Sequence, residues 1–200
     1  MANLLLFNRW DMAAVKPADP GLARYVNLKP LVVPRTAGRF SHDSIDKPKL
    51  PIVERLATHL MVPGHRGKKH KYNSGNCPAS TSTILRAIRD AFQLIEQRTQ
   101  KNPVQVLVSA LENSAMYEEI AAYRMGGVMA RQAVVVAPQR RLDLALRSLA
   151  QGIYHTNFNK KHTLAEAIAA ELIAAAANDT QRSVAVRERQ RIEKEAEGAR

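Results

Sequence analysis

The chain has 200 residues, 46% of them hydrophobic, enough for one domain with a real core and too apolar for a wholly disordered basic tail. Thirty Lys and Arg against 18 Asp and Glu give a formal charge of +12, a self-repulsion usually relieved by a polyanion, most often nucleic acid. One cysteine, Cys77, excludes an internal disulfide and cysteine-cluster zinc, and no run approaches the apolar length of a membrane span.

Residues 1–49 contain prolines at 17, 20, 30, 34 and 48 and little periodicity, which predicts an extended basic N-terminal arm with short ordered pieces. Its start, MANLLLFNRW, has a short apolar run and no cleavage signature, so the expected location is cytoplasmic. Residues 50–200 read as a helical domain. Ile52, Val53, Leu56 and Leu60 predict a helix of about three turns ending at Pro63-Gly64. The stretch GHRGKKHKY, 64–72, follows as a basic loop that continues through NSGNCPAST. A second helix is predicted over roughly 81–100, with Ile84, Leu85, Ile88, Ala91, Phe92 and Ile95 as its apolar stripe. Asn102-Pro103 then supplies an N-cap followed by proline at the first helical position, and Val104, Leu107, Val108 and Leu111 form the buried face.

The period changes after that helix. Gly126-Gly127 separates two runs, the second rich in valine, and predicts a β-hairpin at about 116–136. Pro138 opens a fourth helix whose core face is Leu142, Ala145, Leu146, Leu149 and Ile153, with its exit beginning at Gly152. Thr163-Leu-Ala-Glu166 is a capping box for an alanine-rich helix ending near Asn178. A last helix, about 180–196, is weak in apolar content and mixed in charge. The predicted fold is mainly α, a bundle of five to six helices with one protruding β-hairpin.

Charge is segregated along the chain. Residues 64–101 carry eight basic and two acidic residues, and 124–161 carry seven and one, while 102–123 and 162–178 are acidic. The pattern points to a basic face. GHRGKK departs from a phosphate-binding P-loop: its glycines are too close, Lys69 stands where Ser or Thr would bind Mg²⁺, and a helix precedes it. Gly64-His65-Arg66-Gly67 matches the short loop of KH domains, which need a three-stranded sheet that one distant hairpin does not supply. His65 and His70 lack companion ligands for zinc. Glu112, Glu118 and Glu119 could suggest acid–base chemistry but read as surface charge, and no nucleophile–base–orienter set is evident. No enzyme activity, cofactor or metal is expected.

Phosphate contact remains. Arg35 and Arg39 on the arm, Arg66, Lys68, Lys69 and Lys71 in the loop, and Arg86 and Arg89 form one candidate group. Arg131, Arg140, Arg141, Arg147, Lys160 and Lys161 form another. Arginine forks match phosphate geometry, and each displaced counterion favours binding. Tyr72, Tyr117, Tyr123 and Phe158 are candidates to stack on bases.

PIVERLATHLM at 51–61, NPVQVLVSALENSA at 102–115, GGVMARQAVVVAPQRRLDLALRSLAQG at 126–152 and TLAEAIAAELIAAA at 163–176 resemble, collinearly, the family of small-subunit ribosomal protein seven. Its eukaryotic cytosolic members are small-subunit protein five, and VVPRTAGRF at 32–40 looks like the arm of the archaeal and eukaryotic branch. The resemblance spans about 48–200. It implies a helical bundle with a hairpin arm in the head of the small ribosomal subunit, bound to the 3′ major domain of small-subunit rRNA and nucleating its assembly. It further implies a hairpin near exit-site tRNA and mRNA, and small-subunit protein eleven as a neighbour. By position, Gly67-Lys68-Lys69 match the family's basic stretch, Arg140-Arg141 its doublet after the hairpin, and Gly126-Gly127 the hairpin tip. Arg124, Gly126, Gly127, Arg131 and Arg200 are thereby placed toward tRNA and mRNA. Met116-Tyr117 stands where the family commonly has Pro-Arg, and Val135-Val136-Ala137 where it has Asp-Val-Ser, so the hairpin base departs from the pattern. A free-standing nucleic-acid-binding regulator is the alternative reading.

Overall fold

Helical spacing of apolar residues sets most of the architecture. The computed structural model describes residues 4–40, 42–64, 78 and 80–200. Among them are seven α-helices: α1 (Pro20–Ala23), α2 (Ile52–Met61), α3 (Thr81–Thr99), α4 (Pro103–Ser114), α5 (Pro138–Asn157), α6 (Leu164–Ala176) and α7 (Val184–Glu197). A 3-10 helix spans Ser44–Lys49, and strands β1 (Glu118–Met125) and β2 (Val128–Val135) pair antiparallel.

α6 packs against α3, α4 and α5 and is the centre of the bundle. Its buried positions are largely alanine (Ala167, Ala169, Ala174, Ala175), flanked by Ile168 and Leu172. Small side chains let three helices close on one axis, while Phe92, Ile88, Leu107, Leu111, Leu146 and Leu149 fill the space from the partners. The sequence-level caps form as expected. Asn102 accepts from the Val104 N–H at 3.0 Å, and Thr163 and Glu166 bond each other's backbone N–H groups at 3.3 and 3.0 Å.

The N-terminal 49 residues hold little regular structure, yet Leu6, Trp10, Met12, Val15, Leu22 and Val26 join the same buried cluster as the helices. Trp10 packs edge-on against Phe92, centroids 5.6 Å apart, and donates its Nε1–H to Glu96 at 3.1 Å. Glu112, weighed as an acid–base residue, instead accepts from the Ala18 and Asp19 N–H groups at 2.6 and 3.0 Å. It holds the entry to α1.

α5 runs five residues past Gly152, where its exit was expected. The glycine serves close packing inside the helix: a Cβ there would lie 2.9 Å from Val184 Cβ and 3.1 Å from Glu171 Oε1. The side chain of Glu171, buried under α7, accepts from Ser183 Oγ, Val184 N and Ala185 N at 2.9, 2.9 and 3.2 Å. The Val184 and Ala185 N–H groups are unpaired first-turn donors of α7 and Ser183 is its N-cap, so a carboxylate on α6 caps the next helix. α7, weak in apolar content, is held by this cap and by buried Val184, Ala185, Val186 and Ala196.

The hairpin leaves the bundle between α4 and α5. Its tip is the two-residue turn Gly126-Gly127, with φ of 53° and 93° and open space around both. Positive φ at both positions is what a twisted two-residue hairpin turn demands. The base is anchored from two sides: Glu119 pairs with Arg140 on α5, and Glu118 with Arg200 after α7. Among the described residues no helix is long and apolar enough to cross a membrane.

Candidate nucleic-acid interface

Several acids are engaged by partners within the protein, and this decides which cations are left over. Arg55, 4% exposed, reaches from α2 to Asp143 on α5 at 2.8 Å and to the Tyr25 carbonyl at 3.2 Å. Lys47 of the 3-10 helix meets the same carboxylate at 3.2 Å. Arg140 forks onto Glu119 at 2.6 and 2.9 Å, and Arg200 Nη2 donates to both oxygens of Glu118 at 2.5 and 2.6 Å. The three glutamates offered for acid–base work are therefore each engaged structurally.

Arg141 departs from its expected role. Its guanidinium is turned inward, bonding Asp19 at 2.9 Å and the Met116 carbonyl at 3.1 Å, and lies 4.1 Å from the Tyr117 ring centroid. The residue is only 6% exposed. Successive helical residues point about 100° apart, so of the doublet Arg140 stays outside and Arg141 clips the arm to the hairpin base. The cation is satisfied within the protein.

The remaining candidates divide by place. Arg35 and Arg39 are exposed on the arm, Arg86 on α3, Arg147 on α5, and Lys160 and Lys161 in the turn before α6. Arg124 and Arg131 are exposed on the hairpin, where the pairing of Ala122 with Arg131 and of Arg124 with Met129 puts both on one face. None of these eight has a carboxylate within salt-bridge distance among the described residues. Arg66, Lys68, Lys69 and Lys71, with His65, Gly67, His70, Tyr72 and Cys77, lie outside the described residues. Gly64 leaves α2 beside Gln151, one turn beyond Arg147 on α5. Arg89 pairs with Asp90 at 3.2 Å.

Arg35 and Arg39 are brought together with three cations the sequence did not single out. Arg24, Lys29 and Lys49 line the same cleft, about 660 Å³, and no carboxylate lines it. Their closeness arises because Asn27 pairs with Pro51, folding the arm back on α2. Only that long-range pairing, and no local spacing, would reveal it.

Beneath the α2–α5 surface the charges tune two groups. Burial alone would raise the Asp143 carboxyl, but its bonds to Arg55 and Lys47 hold it below the ordinary value. His59 is lowered to about 4, first by burial, with Asp143 opposing and Arg55, Arg147 and Lys47 reinforcing. The unfolded chain therefore binds a proton at His59 near pH 6.5 that the folded chain refuses until about 4. Stability should fall by about 2 kcal/mol as pH drops through that window, allowing for partial exposure. Urea denaturation of wild type and His59→Gln at pH 7.5 and 4.5 checks this: the variant should lose less on acidification, and an equal loss in both would remove His59 as the cause.

The sequence places this architecture among known proteins. The family model for ribosomal protein S7p/S5e matches residues 22–200. The small ribosomal subunit protein uS7 of Nanoarchaeum equitans is 43% identical over 198 residues, spanning 99% of this chain and 100% of the relative. The protein of the same name from Methanococcus maripaludis strain C6 is 43% identical over 199 residues, again 99% and 100%. That from Methanospirillum hungatei is 41% identical over 194 residues, 96% of this chain and 94% of the relative. The match runs through arm, bundle, hairpin and last helix alike, so the chain belongs to the ribosomal protein S7p/S5e family, structural proteins of the small ribosomal subunit with no enzymatic role.

Proposed function

We propose that this protein binds small-subunit rRNA in the head of the subunit, in its 3′ major domain, and nucleates assembly of that domain in the cytoplasm. The observation that carries the reading is the segregation of charge. Asp19, Glu118, Glu119 and Asp143 are paired within the protein, whereas Arg35, Arg39, Arg86, Arg147, Lys160 and Lys161 are exposed with no carboxylate partner among the described residues. A surface with that imbalance gains by exchanging its counterions, and those of RNA, for direct phosphate contact. Arg140 adds a partly free fork, its side chain 57% exposed beside Glu119. Lys68 and Lys69 join this reading by the family resemblance, and Arg66 and Lys71 by their place in the same basic stretch of sequence.

The hairpin serves a different partner in this reading. Its far half carries Arg124 and Arg131 on one face and exposed Tyr123, Val128 and Met129 around the tip. A ribbon held at its base and open around its tip suits a reach toward exit-site tRNA and mRNA rather than an anchor. Small-subunit protein eleven is the expected neighbour.

Cosedimentation tests both halves. The protein should remain with the small subunit through a high-salt wash, and a chain found only in the soluble fraction would favour a free-standing regulator. Deleting residues 121–132 should leave incorporation intact and alter exit-site tRNA occupancy or reading fidelity. Loss of incorporation on that deletion would sink the division between anchor and ribbon.

A further inference from the structure

The cleft formed by residues 24–40 of the arm and 48–51, just before α2, has two unlike kinds of lining residue. Its charged half is Arg24, Lys29, Arg35, Arg39 and Lys49. Lys49 is neutralised by Asp46 at 2.6 Å, while the other four have no carboxylate partner among the described residues. Four such cations around one hollow repel one another unless an anion enters. The other half is apolar: Val26, Leu28 and Leu31, with the ring of Phe40. Lys49 Nζ stands 5.9 Å from the Phe40 centroid, which sets the ring beside the charged half.

The walls are preformed. Asn27 Nδ2 donates to the Lys49 carbonyl at 2.5 Å, and Lys29 N donates to Asn27 Oδ1 at 3.1 Å. Ile52 N donates to the Asn27 carbonyl at 3.2 Å. Thr36 donates both its N–H and its hydroxyl to Glu54 on α2, at 2.8 and 2.9 Å. The segment bearing Arg35 and Arg39 is thus tied to the bundle, and little ordering is left for a ligand to impose.

We propose that this cleft seats one unpaired nucleotide of a single-stranded RNA segment, the base against Phe40 and the apolar wall, the flanking phosphates on Arg24, Lys29, Arg35 and Arg39. A splayed nucleotide brings an aromatic face and negative charge in one unit, which matches both halves. A duplex keeps its bases stacked and offers only its backbone, leaving the apolar half empty. An acidic peptide would satisfy the cations but lay charged side chains against Leu28, Leu31 and Phe40. The inference rests on the rRNA-binding reading and adds to it a strand type and a base contact.

The test uses the full chain and a fluorescein-labelled hexauridylate, with a blunt RNA stem-loop and polyglutamate as competitors. Phe40 lies outside the buried core cluster, so Phe40→Ala keeps the fold. It should weaken hexauridylate binding roughly five- to hundredfold, the range for a lost base–aromatic stack, and Phe40→Trp should restore it. Arg24→Gln with Lys29→Gln should flatten the log-affinity slope against log salt by about 1.4, from about 0.7 per single-strand contact. Unchanged affinity in Phe40→Ala, an unchanged slope in the double variant, or displacement by polyglutamate as readily as by unlabelled hexauridylate would each overturn the proposal. The two readings fail separately. A chain absent from the subunit but sensitive at Phe40 would refute the ribosomal anchor alone, and a cosedimenting chain insensitive at Phe40 would refute the cleft alone.

Discussion

Replacing Glu171 with alanine is expected to destabilise the protein by about 3–4 kcal/mol and to release α7. The carboxylate accepts three donors, and removing it orphans the Val184 and Ala185 N–H groups and the Ser183 hydroxyl in a buried site. Unsatisfied buried donors cost about 1–3 kcal/mol each, reduced here where water follows the vacated side chain. Glu171→Gln should lose only about 1 kcal/mol, because the amide oxygen still accepts and the burial that raises the Glu171 carboxyl no longer opposes a charge. The pH dependence separates the two effects. Folded Glu171 holds its proton above the unfolded value of 4.5, so in wild type this group's contribution declines as pH rises through the raised value. In Glu171→Gln that decline should vanish. Loosening α7 also loosens the hairpin base, since Glu193 accepts the Tyr117 N–H at 3.0 Å and Arg200 pairs with Glu118. Hydrogen exchange in Glu171→Ala should therefore quicken at 184–197 and at 117–120 together. Faster exchange in α7 with an undisturbed hairpin base would show that the two are not coupled through this cap.

How far such features can be read from sequence depends on whether the physics is local. The stripes of α2, α3 and α4, the Asn102 and Thr163 caps and the Gly126-Gly127 turn are local rules, and each forms where its residues predict. Gly152 misleads because a glycine late in a helix is usually read as an end. Here it makes room for Val184 and Glu171, which approach from outside the helix. The arm's packing is hidden for the same reason: Trp10 meets Glu96 across 86 residues, and no periodicity within 1–49 announces it. At the interface, Arg140 and Arg141 look equivalent in the sequence. The partner that turns Arg141 inward, Asp19, lies 122 residues away.

The same logic explains why counting cations overstates the RNA surface. Arg55 and Arg141 are buried clips that join arm, α2 and α5 through Asp143 and Asp19. Removing the aspartate would strand a buried guanidinium without its partner, a loss of several kcal/mol. The proposed phosphate contacts are then a smaller set, spread over the arm, α3, α5 and the turn before α6. Because these elements share one core through α6, cations far apart in sequence are held at fixed spacings, as a folded RNA target requires.

The strongest functional prediction follows from that smaller set. Changing Arg86, Arg147, Lys160 and Lys161 together to glutamine should flatten the salt slope of rRNA binding by roughly 3, from about 0.7–0.9 per phosphate contact. If wild type and variant converge near 1 M salt, where counterion release no longer contributes, a slope difference of about 3 amounts to roughly a thousandfold weaker binding near 0.1 M. All four side chains are exposed and have no carboxylate partner among the described residues, so thermal stability should stay within about 0.5 kcal/mol of wild type. Arg141→Lys is the matched control. It keeps the charge but loses the fork between Asp19 and the Met116 carbonyl and the stack on Tyr117, so it should lower stability by about 2 kcal/mol and leave the slope unchanged. Filter binding to a 3′ major domain transcript across a salt series reads the slopes, and urea denaturation reads the stabilities. An unaltered slope in the fourfold variant would take these cations off the phosphates. A flattened slope in Arg141→Lys at full stability would mean that its guanidinium faces RNA after all.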